Sequence, residues 1–439
     1  MKQYKKSGVR TVKVTLFFAV LAVMAVIGLM WFLRPTVSEQ EKRELTKFPT
    51  LTLTGFWDGS WFSGIDTWYA DTYPLRESMV NGSGIIKSLY GIRTQQIVGQ
   101  EQQGEEIPTD PQQGEATLPT TPDEPEQPTT PTDDPQEDGH ITEAGELIEG
   151  VYLSGNSGYG LYYFVQNNVD WYAAIINEAY KRIDANIYCM IAPINSGVLF
   201  SDDLQKQLHV SDQREAIRYA YSRMNENIRT VDAFGALREH QDEYIFFRTD
   251  HHWTGLGAYY AYTAFADAKG ITPHTLDQFE LREYPGLLGT YYNNTQSPAL
   301  AATPDTVQAW VPMATNTMHM TMTDGNTYEW RIINDVSSYG RGIKYGAFTG
   351  GDNPISWVEN PNLSDGSACL VIKDSYANAF IPYLVDHYQY TYWVDFRYYQ
   401  KSLSALVQEK GISDVIFLQQ IYNTSSKNTL PKLQELVER

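Results

Sequence analysis

The chain has 439 residues, a formal net charge of −20 and only two cysteines, and aromatic residues make up 13% of it. Such a length allows about two or three domains of ordinary size. An acidic surface repels the phosphate backbone of nucleic acids, so we expect no nucleic-acid partner. No Cys/Cys or Cys/His spacing of the kind that binds structural zinc occurs.

The first 34 residues combine a basic start with a long apolar run. Residues 1–13 carry five Lys or Arg and no acid, and residues 14–33 contain no charge. About twenty apolar residues span a bilayer as a helix, and residues 31–35 offer no small-residue cleavage site. We therefore predict a cytoplasmic tail over 1–13, a transmembrane signal-anchor over 14–33 and an extracytoplasmic remainder. A cleaved signal peptide is the alternative, and it gives the same compartment.

Two segments precede the main domain. Residues 36–93 carry aromatic side chains at roughly helical spacing, which predicts a membrane-proximal helical segment interrupted at Pro74. Residues 100–139 are acidic and rich in Pro, Thr and Gln, with few large apolar residues. That composition cannot bury enough surface to offset chain entropy, so we predict a disordered linker.

Residues 145–439 alternate between strand-like and helix-like patterns, which predicts an α/β domain with a mainly parallel sheet flanked by helices. Strands are predicted near 151–153, 161–164, 186–192, 230–231, 244–247, 368–372, 390–394 and 414–418. Helices are predicted near 169–183, 212–226, 233–240, 254–269, 377–387 and 399–410, with a final helix ending at 439.

Residues 270–365 break this rhythm with frequent Pro, Gly, Asn and Thr, which indicates an inserted β-rich or loop-rich region. Strand-like runs lie at 307–310, 318–322 and 327–333, and two glycine-containing segments lie at 286–292 and 345–351. The two cysteines, Cys189 and Cys369, fall inside predicted strands. Buried free thiols are the favoured interpretation, and a disulfide is the alternative.

Ser375 and the run Asp250-His251-His252 carry the chemistry. Ser375 follows a buried strand and precedes a helix, so we expect it at the carboxyl edge of the sheet, beside helix N–H groups. A hydroxyl needs a base to act as a nucleophile. Asp250 and His252 are two residues apart and can lie on one side of the backbone, so Asp250 can orient an imidazole toward a serine.

Each of these residues also has a structural interpretation. Ser375 can cap the following helix instead of reacting. His251 is expected to point away from the serine and to make a hydrogen bond within the fold. Asp250, His251 and His252 can alternatively be metal ligands, although adjacent histidines seldom face one ion.

The sequence resembles the DHHW protein family. Its naming motif is similar to Asp250-His251-His252-Trp253, and the family's serine block resembles residues 373–378. Residues 71–76 and 394–399 resemble two further motifs, and the resemblance covers about 36–93 and 145–435. It extends more weakly to alginate O-acetylation proteins of the SGNH-hydrolase superfamily.

The resemblance implies an SGNH-hydrolase-like fold in which Ser375 is the nucleophile, His252 its base and Asp250 the orienting acid, with no cofactor. Arg397 matches an arginine that lies near the site in relatives, and we expect it to contact substrate or to help hold the acyl oxyanion. Asn423 is a further candidate for that role. The backbone N–H of Ser375 or Tyr376 is expected to hold the oxyanion.

Such proteins transfer acetyl groups to exported polysaccharides. A membrane-bound O-acyltransferase delivers the acetyl groups across the bilayer. We therefore expect an O-acetyltransferase with a polysaccharide acceptor. Lys373 stands before Asp374 in place of the glycine of ordinary SGNH hydrolases, which limits the comparison. An acyl esterase and a non-catalytic carbohydrate-binding scaffold are the alternatives.

Overall fold

The structure is a computed structural model, and it divides the chain into two compact units, residues 1–94 and 95–439. It describes residues 34, 37–38, 43–44, 46–52, 60–74, 104–108, 114–118, 138–322 and 324–439. The predicted tail and transmembrane segment, residues 1–33, lie outside the described residues. Among the helices of the described part, none has both the length and the apolar character required to cross a bilayer.

The first unit contains one described helix and a two-stranded ribbon. Its elements are β1 (Val37–Ser38), β2 (Arg43–Glu44) and α1 (Ser60–Asp71). Helix α1 falls within the predicted aromatic segment, where Trp68 is buried and packs edge-on against Phe48 at 4.9 Å. Phe62 on the same helix is exposed, so only part of the aromatic pattern forms a core. The second helix predicted after Pro74 lies outside the described residues.

The second unit is an α/β domain. Its strands are β3 (Glu146–Ile148), β4 (Val151–Ser154), β5 (Ser157–Tyr159), β6 (Asn186–Ala192), β7 (Arg229–Thr230), β8 (Glu280–Leu287), β9 (Asp305–Val311), β10 (Thr317–Thr321), β11 (Thr327–Arg331), β12 (Ile355–Glu359), β13 (Ala368–Lys373), β14 (Tyr390–Asp395) and β15 (Asp414–Gln420).

Its helices are α2 (Gln166–Arg182), α3 (Asn195–Leu199), α4 (Asp202–Gln207), α5 (Gln213–Ser222), α6 (Ala233–Glu239), α7 (Gly255–Lys269), α8 (Thr290–Thr295), α9 (Pro298–Ala302), α10 (Ala377–Leu384), α11 (Leu403–Lys410) and α12 (Leu430–Glu438).

The central sheet has eight strands in the order β11-β10-β12-β14-β13-β15-β6-β7. The pairs from β14 to β7 are parallel, and the pairs from β11 to β14 are antiparallel. The sheet is therefore mixed, which corrects the prediction of a mainly parallel sheet. The difference arises because β10, β11 and β12 belong to the region predicted as an insertion, and they extend the sheet by pairing on β14.

Helices cover both faces of the parallel half. Consecutive residues of a strand point to opposite faces, and on β6 the side chain of Tyr188 contacts Phe265 of α7 while Cys189 contacts Tyr172 of α2. This burial on both faces explains why β6, β13 and β15 are nearly continuous apolar runs.

Most predicted elements of the parallel half are confirmed within a few residues, and several short ones are wrong. Residues 161–164 form no strand, because the hairpin partner of β4 is β5. Residues 244–247 contribute one isolated bridge, Phe246 with Trp253, and the short helix α3 after β6 was not predicted. Cys189 and Cys369 are buried free thiols on β6 and β13, with β15 between them.

Two short segments of the predicted disordered linker, 100–139, contact the α/β unit. These segments are residues 104–108 and 114–118. The backbone N–H of Glu105 donates to the Phe164 carbonyl at 2.9 Å, and that of Ala116 donates to the Arg223 carbonyl at 2.9 Å. Ala116 is also buried. Both segments depart from the predicted disorder because backbone groups of the domain bind them.

Candidate active site

His252 is presented by a tight loop between α6 and α7. The loop is closed by the Phe246–Trp253 bridge, and Thr254 caps α7 by accepting from the Gly257 N–H, as the sequence predicts. A buried carboxylate, Asp305, holds the start of the loop: it accepts from the Thr249 N–H at 2.7 Å and the Thr249 hydroxyl at 2.6 Å. The backbone of the motif is thus fixed by hydrogen bonds before any side chain reaches the site.

Asp250 is buried and saturated with donors. Its Oδ1 accepts from the His252 ring at 2.5 Å, and its Oδ2 accepts from the backbone N–H of Thr290 at 2.8 Å and from that residue's hydroxyl at 3.1 Å. Burial alone raises the pKa of Asp250, but His252, His251 and these hydrogen bonds outweigh it and hold that pKa well below the usual value. Asp250 is therefore a carboxylate at neutral pH.

Gly289 makes the Thr290 contact possible. A Cβ on residue 289 would lie 2.1 Å from Oδ2 of Asp250, so a larger residue would push the carboxylate away. Gly289 and Thr290 both belong to the glycine-containing segment 286–292 of the predicted insertion.

Ser375 lies in the turn between β13 and α10, at the carboxyl edge of the parallel half of the sheet. The N-cap residue of α10 is Tyr376, and its side chain makes no capping hydrogen bond. The Ser375 hydroxyl instead lies 2.8 Å from Nε2 of His252. The alternative in which Ser375 serves as a helix cap is therefore wrong.

Asp250, His252 and Ser375 form one hydrogen-bonded series. A carboxylate can only accept, so the proton of a neutral His252 ring lies on Nδ1, and Nε2 is left as the acceptor for the Ser375 hydroxyl. This arrangement gives the hydroxyl a base within reach and gives the base an orienting acid.

Tyr345 covers one face of His252. The two rings stack with centroids 3.8 Å apart at an angle of 9°, and the Tyr345 hydroxyl donates to the Ser375 carbonyl at 2.9 Å. Tyr345 is itself buried, so it fixes the imidazole plane and shields it from water on that side. It belongs to the second glycine-containing segment, 345–351.

Trp253 and Tyr376 join the two sides of the site. The indole N–H of Trp253 donates to the Tyr376 carbonyl at 2.9 Å, and the Tyr376 hydroxyl donates to the His251 carbonyl. Both side chains are fully buried. The last residue of the Asp-His-His-Trp motif therefore sets the distance between the histidine loop and the serine turn.

The predicted oxyanion donors differ in availability. The Tyr376 N–H donates to Oδ1 of the buried Asp374 at 2.8 Å, so it is not free to hold an oxyanion. Among the described residues, none accepts from the Ser375 N–H, which remains the backbone candidate. Nδ2 of Asn423 donates one hydrogen to Oδ2 of Asp374 at 2.6 Å, which places this amide at the same edge. Burial raises the pKa of Asp374.

Arg397 is held in a network of partly and fully buried charges. It donates to Asp395 at 2.8 Å through Nε and to Asp352 at 2.7 Å, and the fully buried Lys373 donates to the same two carboxylates. Burial opposes the charge of Arg397, but Asp395 and Asp352 raise its pKa above the usual value. Nε and Nη2 of Arg397 are taken up by the two carboxylates, and its contact with substrate stays a prediction.

The described residues contain one cluster of potential metal ligands, namely Asp250, His251 and His252. His251 lies 3.7 Å from Oδ1 of Asp250, and it lies beside the hydrogen-bonded series. The 2.5 Å between Asp250 and His252 is a direct hydrogen bond, too short for two ligands that share an ion about 2 Å from each.

Sequence reasoning assigned no role to Thr290, Tyr345 or Asp352. The first two lie in glycine-containing segments that the sequence does mark, and Asp352 directly follows Gly350-Gly351. Nothing in the local pattern connects them to His252, because 38 to 100 residues separate them along the chain.

The family model described as "DHHW protein" matches residues 41–117 and 121–394. A solved DHHW family protein from Eubacterium siraeum shares 26% sequence identity and superposes with a TM-score of 0.60, over 66% of this chain and 96% of that one. No curated protein matches the sequence.

PatB1 from Bacillus cereus has the same fold at lower identity. It shares 18% identity with a TM-score of 0.55, over 65% of this chain and 99% of that one. A second PatB1 structure, with a sulfonyl adduct, shares 16% identity with a TM-score of 0.52, over 64% and 96% of the respective chains.

Proposed function

The chain belongs to the DHHW protein family, and from that premise we propose that it is a membrane-anchored, extracytoplasmic O-acetyltransferase of a cell-surface or exported polysaccharide. The hydrogen-bonded series Asp250–His252–Ser375, with distances of 2.5 and 2.8 Å, carries this proposal. The apolar run over 14–33 supports the anchor, and the basic residues before it support the orientation.

The first half of the proposed reaction acetylates the enzyme. His252 Nε2 takes the proton of Ser375 while Oγ attacks the carbonyl carbon of an acetyl ester. When the tetrahedral intermediate collapses, the bond from the acyl carbon to the donor's alcohol oxygen breaks, and that oxygen takes the proton from His252. Asp250 stays ionised and stabilises the imidazolium in between.

Developing negative charge on the acyl oxygen needs fixed donors. The Ser375 N–H and the second amide hydrogen of Asn423 are the groups that we assign to it. Asp374 orients Asn423 by accepting its other hydrogen, and it also draws the Tyr376 N–H away from this role.

The second half transfers the acetyl group. A sugar hydroxyl loses its proton to His252 Nε2 and attacks the acetyl carbon, which breaks the bond to Ser375 Oγ and returns the proton to the serine. Water in place of the sugar gives hydrolysis, so an esterase and a transferase differ in the acceptor and not in the catalytic residues. A membrane-bound O-acyltransferase is the proposed source of acetyl groups across the bilayer.

Acyl-ester turnover tests the proposal. The full chain, purified in detergent, is incubated with p-nitrophenyl acetate with and without an oligosaccharide acceptor, beside Ser375→Ala and His252→Ala. We expect turnover to fall by about a thousandfold or more in both variants, and mass spectrometry to detect acetylated acceptor. The exposed Ser338→Ala is the matched control.

Three outcomes separate the alternatives. Turnover without acetylated acceptor supports the esterase. Equal turnover in the parent, Ser375→Ala and His252→Ala overturns the assignment of the site. The absence of turnover, together with measurable oligosaccharide binding, supports a non-catalytic scaffold.

A covalent probe tests the nucleophile independently. By analogy with the sulfonyl adduct of PatB1, we expect phenylmethylsulfonyl fluoride to react at Ser375: the bond from Oγ to sulfur forms, fluoride leaves and His252 takes the proton. Peptide mass mapping should place the adduct on Ser375 and show far slower labelling in His252→Ala. A label elsewhere on the chain contradicts the assignment.

A further inference from the structure

A few aromatic side chains in the described part of the α/β unit are exposed to solvent. Most aromatic residues there are buried or half-buried, and within the described residues 138–322 and 324–439 four are exposed. These four are Tyr328, Trp330, Tyr339 and Tyr398. Two lie on β11, one in the loop after it and one in the turn after β14, which also carries Arg397. An exposed group of large apolar side chains marks an interaction site more often than isolated ones do.

Trp330 is the member of this group whose surroundings are best defined. It pairs with the buried Met318 across β10 and β11, while Tyr328 pairs with Met320, so both aromatic rings lie on one face of the edge strand. Trp330 is 40% exposed although it adjoins the core. The rest of its ring rests on Gly350.

Gly350 is adapted to this contact. Its φ of +66° lies in the left-handed region, and a Cβ there would lie 2.9 Å from Cδ1 and Nε1 of the Trp330 ring. The Cδ1–Nε1 side of the indole is therefore seated against bare backbone, while 40% of the residue stays exposed to solvent.

The segment that carries Gly350 runs beside the nucleophile. At one end Tyr345 stacks on His252 and binds the Ser375 carbonyl. At the other end Asp352 accepts from Asn378, three residues after the serine, at 3.0 Å. Gly350 is two residues from Asp352, roughly 7 Å of chain. Residues 345–352 thus connect the Trp330 ring to the serine turn.

The chemistry of an open indole face suits a sugar ring. One face of a pyranose presents C–H groups with partial positive charge, and the π face of Trp is negative and apolar. The indole N–H, at the edge of the ring, can bind a hydroxyl. Glu329 and Arg331 alternate with Trp330 and lie on the other face of β11, so this face carries little charge.

We propose that Trp330, seated on Gly350, is an acceptor-binding residue that stacks on a pyranose ring of the polysaccharide and delivers a neighbouring hydroxyl to Ser375. This inference rests on the proposed function, because it assigns a position to the acceptor that the function requires. It concerns acceptor binding alone and assigns Trp330 no part in the first acylation step.

The test measures acceptor kinetics in the full chain in detergent. p-Nitrophenyl acetate is the donor, and the acceptors are β-1,4-linked hexasaccharides of glucose and of N-acetylglucosamine. In Trp330→Ala we expect KM for the acceptor to rise about tenfold, with a smaller change in kcat, because a lost stacking contact weakens acceptor binding by about 1.4 kcal/mol. Trp330→Phe, which keeps a π face, should recover most of the loss.

Trp357→Ala is the matched control. Trp357 is also half-exposed on this sheet and stacks on His319 at 5.2 Å, but the register places it on the opposite face from Trp330. We expect no change in its acceptor KM. Equal increases in the Trp330 and Trp357 variants, or no increase in either, overturn the proposal.

A binding measurement separates this inference from the proposed function. Calorimetric titration of Ser375→Ala with each hexasaccharide, with and without Trp330→Ala, needs no turnover. Weaker hexasaccharide binding in the Trp330→Ala variant supports the role of Trp330 in acceptor binding even if the parent proves inactive. Unchanged affinity, or no binding of either sugar, rejects that role. Binding to phosphatidylcholine vesicles that depends on Trp330, with no sugar binding, would assign this face to the membrane instead.

Discussion

The loop that presents His252 and the turn that presents Ser375 are held by different kinds of interaction. On the histidine side, hydrogen bonds from backbone and hydroxyl groups converge on two buried carboxylates, Asp250 and Asp305. On the serine side, Lys373 and Arg397 share Asp352 and Asp395 in a network of two cations and two anions, of which Lys373 and Asp395 are fully buried. Charge is thus compensated within the serine side itself.

This difference has a consequence for mutation. Removing one partner of a buried ion pair leaves an uncompensated charge, which costs stability. Changing the acid that orients a histidine costs activity, because the imidazole loses its tautomer and its partner. We therefore expect activity and stability to respond to different sides of the site.

The largest expected effect is that of Asp250→Asn on turnover. The amide cannot accept as a charged partner of the His252 Nδ1–H, so we expect kcat for aryl acetate hydrolysis to fall about 10⁴-fold. The free energy of unfolding should fall by less than about 2 kcal/mol, since the packing is unchanged. Kinetics and urea denaturation on the same preparation measure both. A turnover within tenfold of the parent would reject Asp250 as the orienting acid.

Lys373→Met should lower the stability of the fold more than it lowers turnover. It leaves Asp352 and Asp395 facing each other with Arg397 alone, so we expect the free energy of unfolding to fall by about 3–5 kcal/mol. Urea denaturation measures this change, and the exposed Lys401→Met is the matched control with no expected change. If Lys373→Met lost activity while keeping the stability of the parent, the assigned contrast between the two sides would be wrong.

Trp253→Phe tests the connection between the sides. It removes the indole N–H that donates to the Tyr376 carbonyl at 2.9 Å and leaves most of the packing in place. Because a buried acceptor loses its partner, we expect a loss of about 1–2 kcal/mol in unfolding free energy and about a tenfold lower kcat from the misplaced serine turn. Trp357→Phe, away from the site, should change neither quantity.

The smallest expected effect is the dependence of the unfolding free energy on pH below about 4. The folded-state pKa of Asp250 lies below its unfolded value near 4, so its stabilisation is complete above about pH 4 and is lost as pH falls through the folded pKa. Between pH 4 and pH 3 the parent should lose about 1 kcal/mol more stability than Asp250→Asn, which has no carboxylate there. Parallel pH profiles from urea denaturation would contradict this linkage.

The parallel half of the fold was accessible from the sequence because each element carries its own pattern. Buried strands such as β13 and β15 are short apolar runs, and α7 begins at the cap Thr254 and ends at Gly270. The antiparallel strands β10 and β11 were visible as strand-like pieces, whereas β12 was not predicted. Their place in the main sheet was not visible, since pairing with β14 depends on residues far away in the chain.

The sequence by itself determined the two reactive blocks. Residues 250–253 and 373–378 are local motifs, and the position of Ser375 between a strand and a helix follows from the residues beside it. Composition also predicts the acidic linker over 100–139 and the apolar run over 14–33.

The tertiary structure alone decided how these blocks meet. The 2.8 Å between His252 and Ser375, the stacking of Tyr345, the Thr290 donor to Asp250 and the hydrogen bond from Arg397 to Asp352 join residues that are distant in sequence. Each contact depends on the packing of several elements at one sheet edge. No local pattern encodes such a contact, because its free energy exists only once the whole domain has folded.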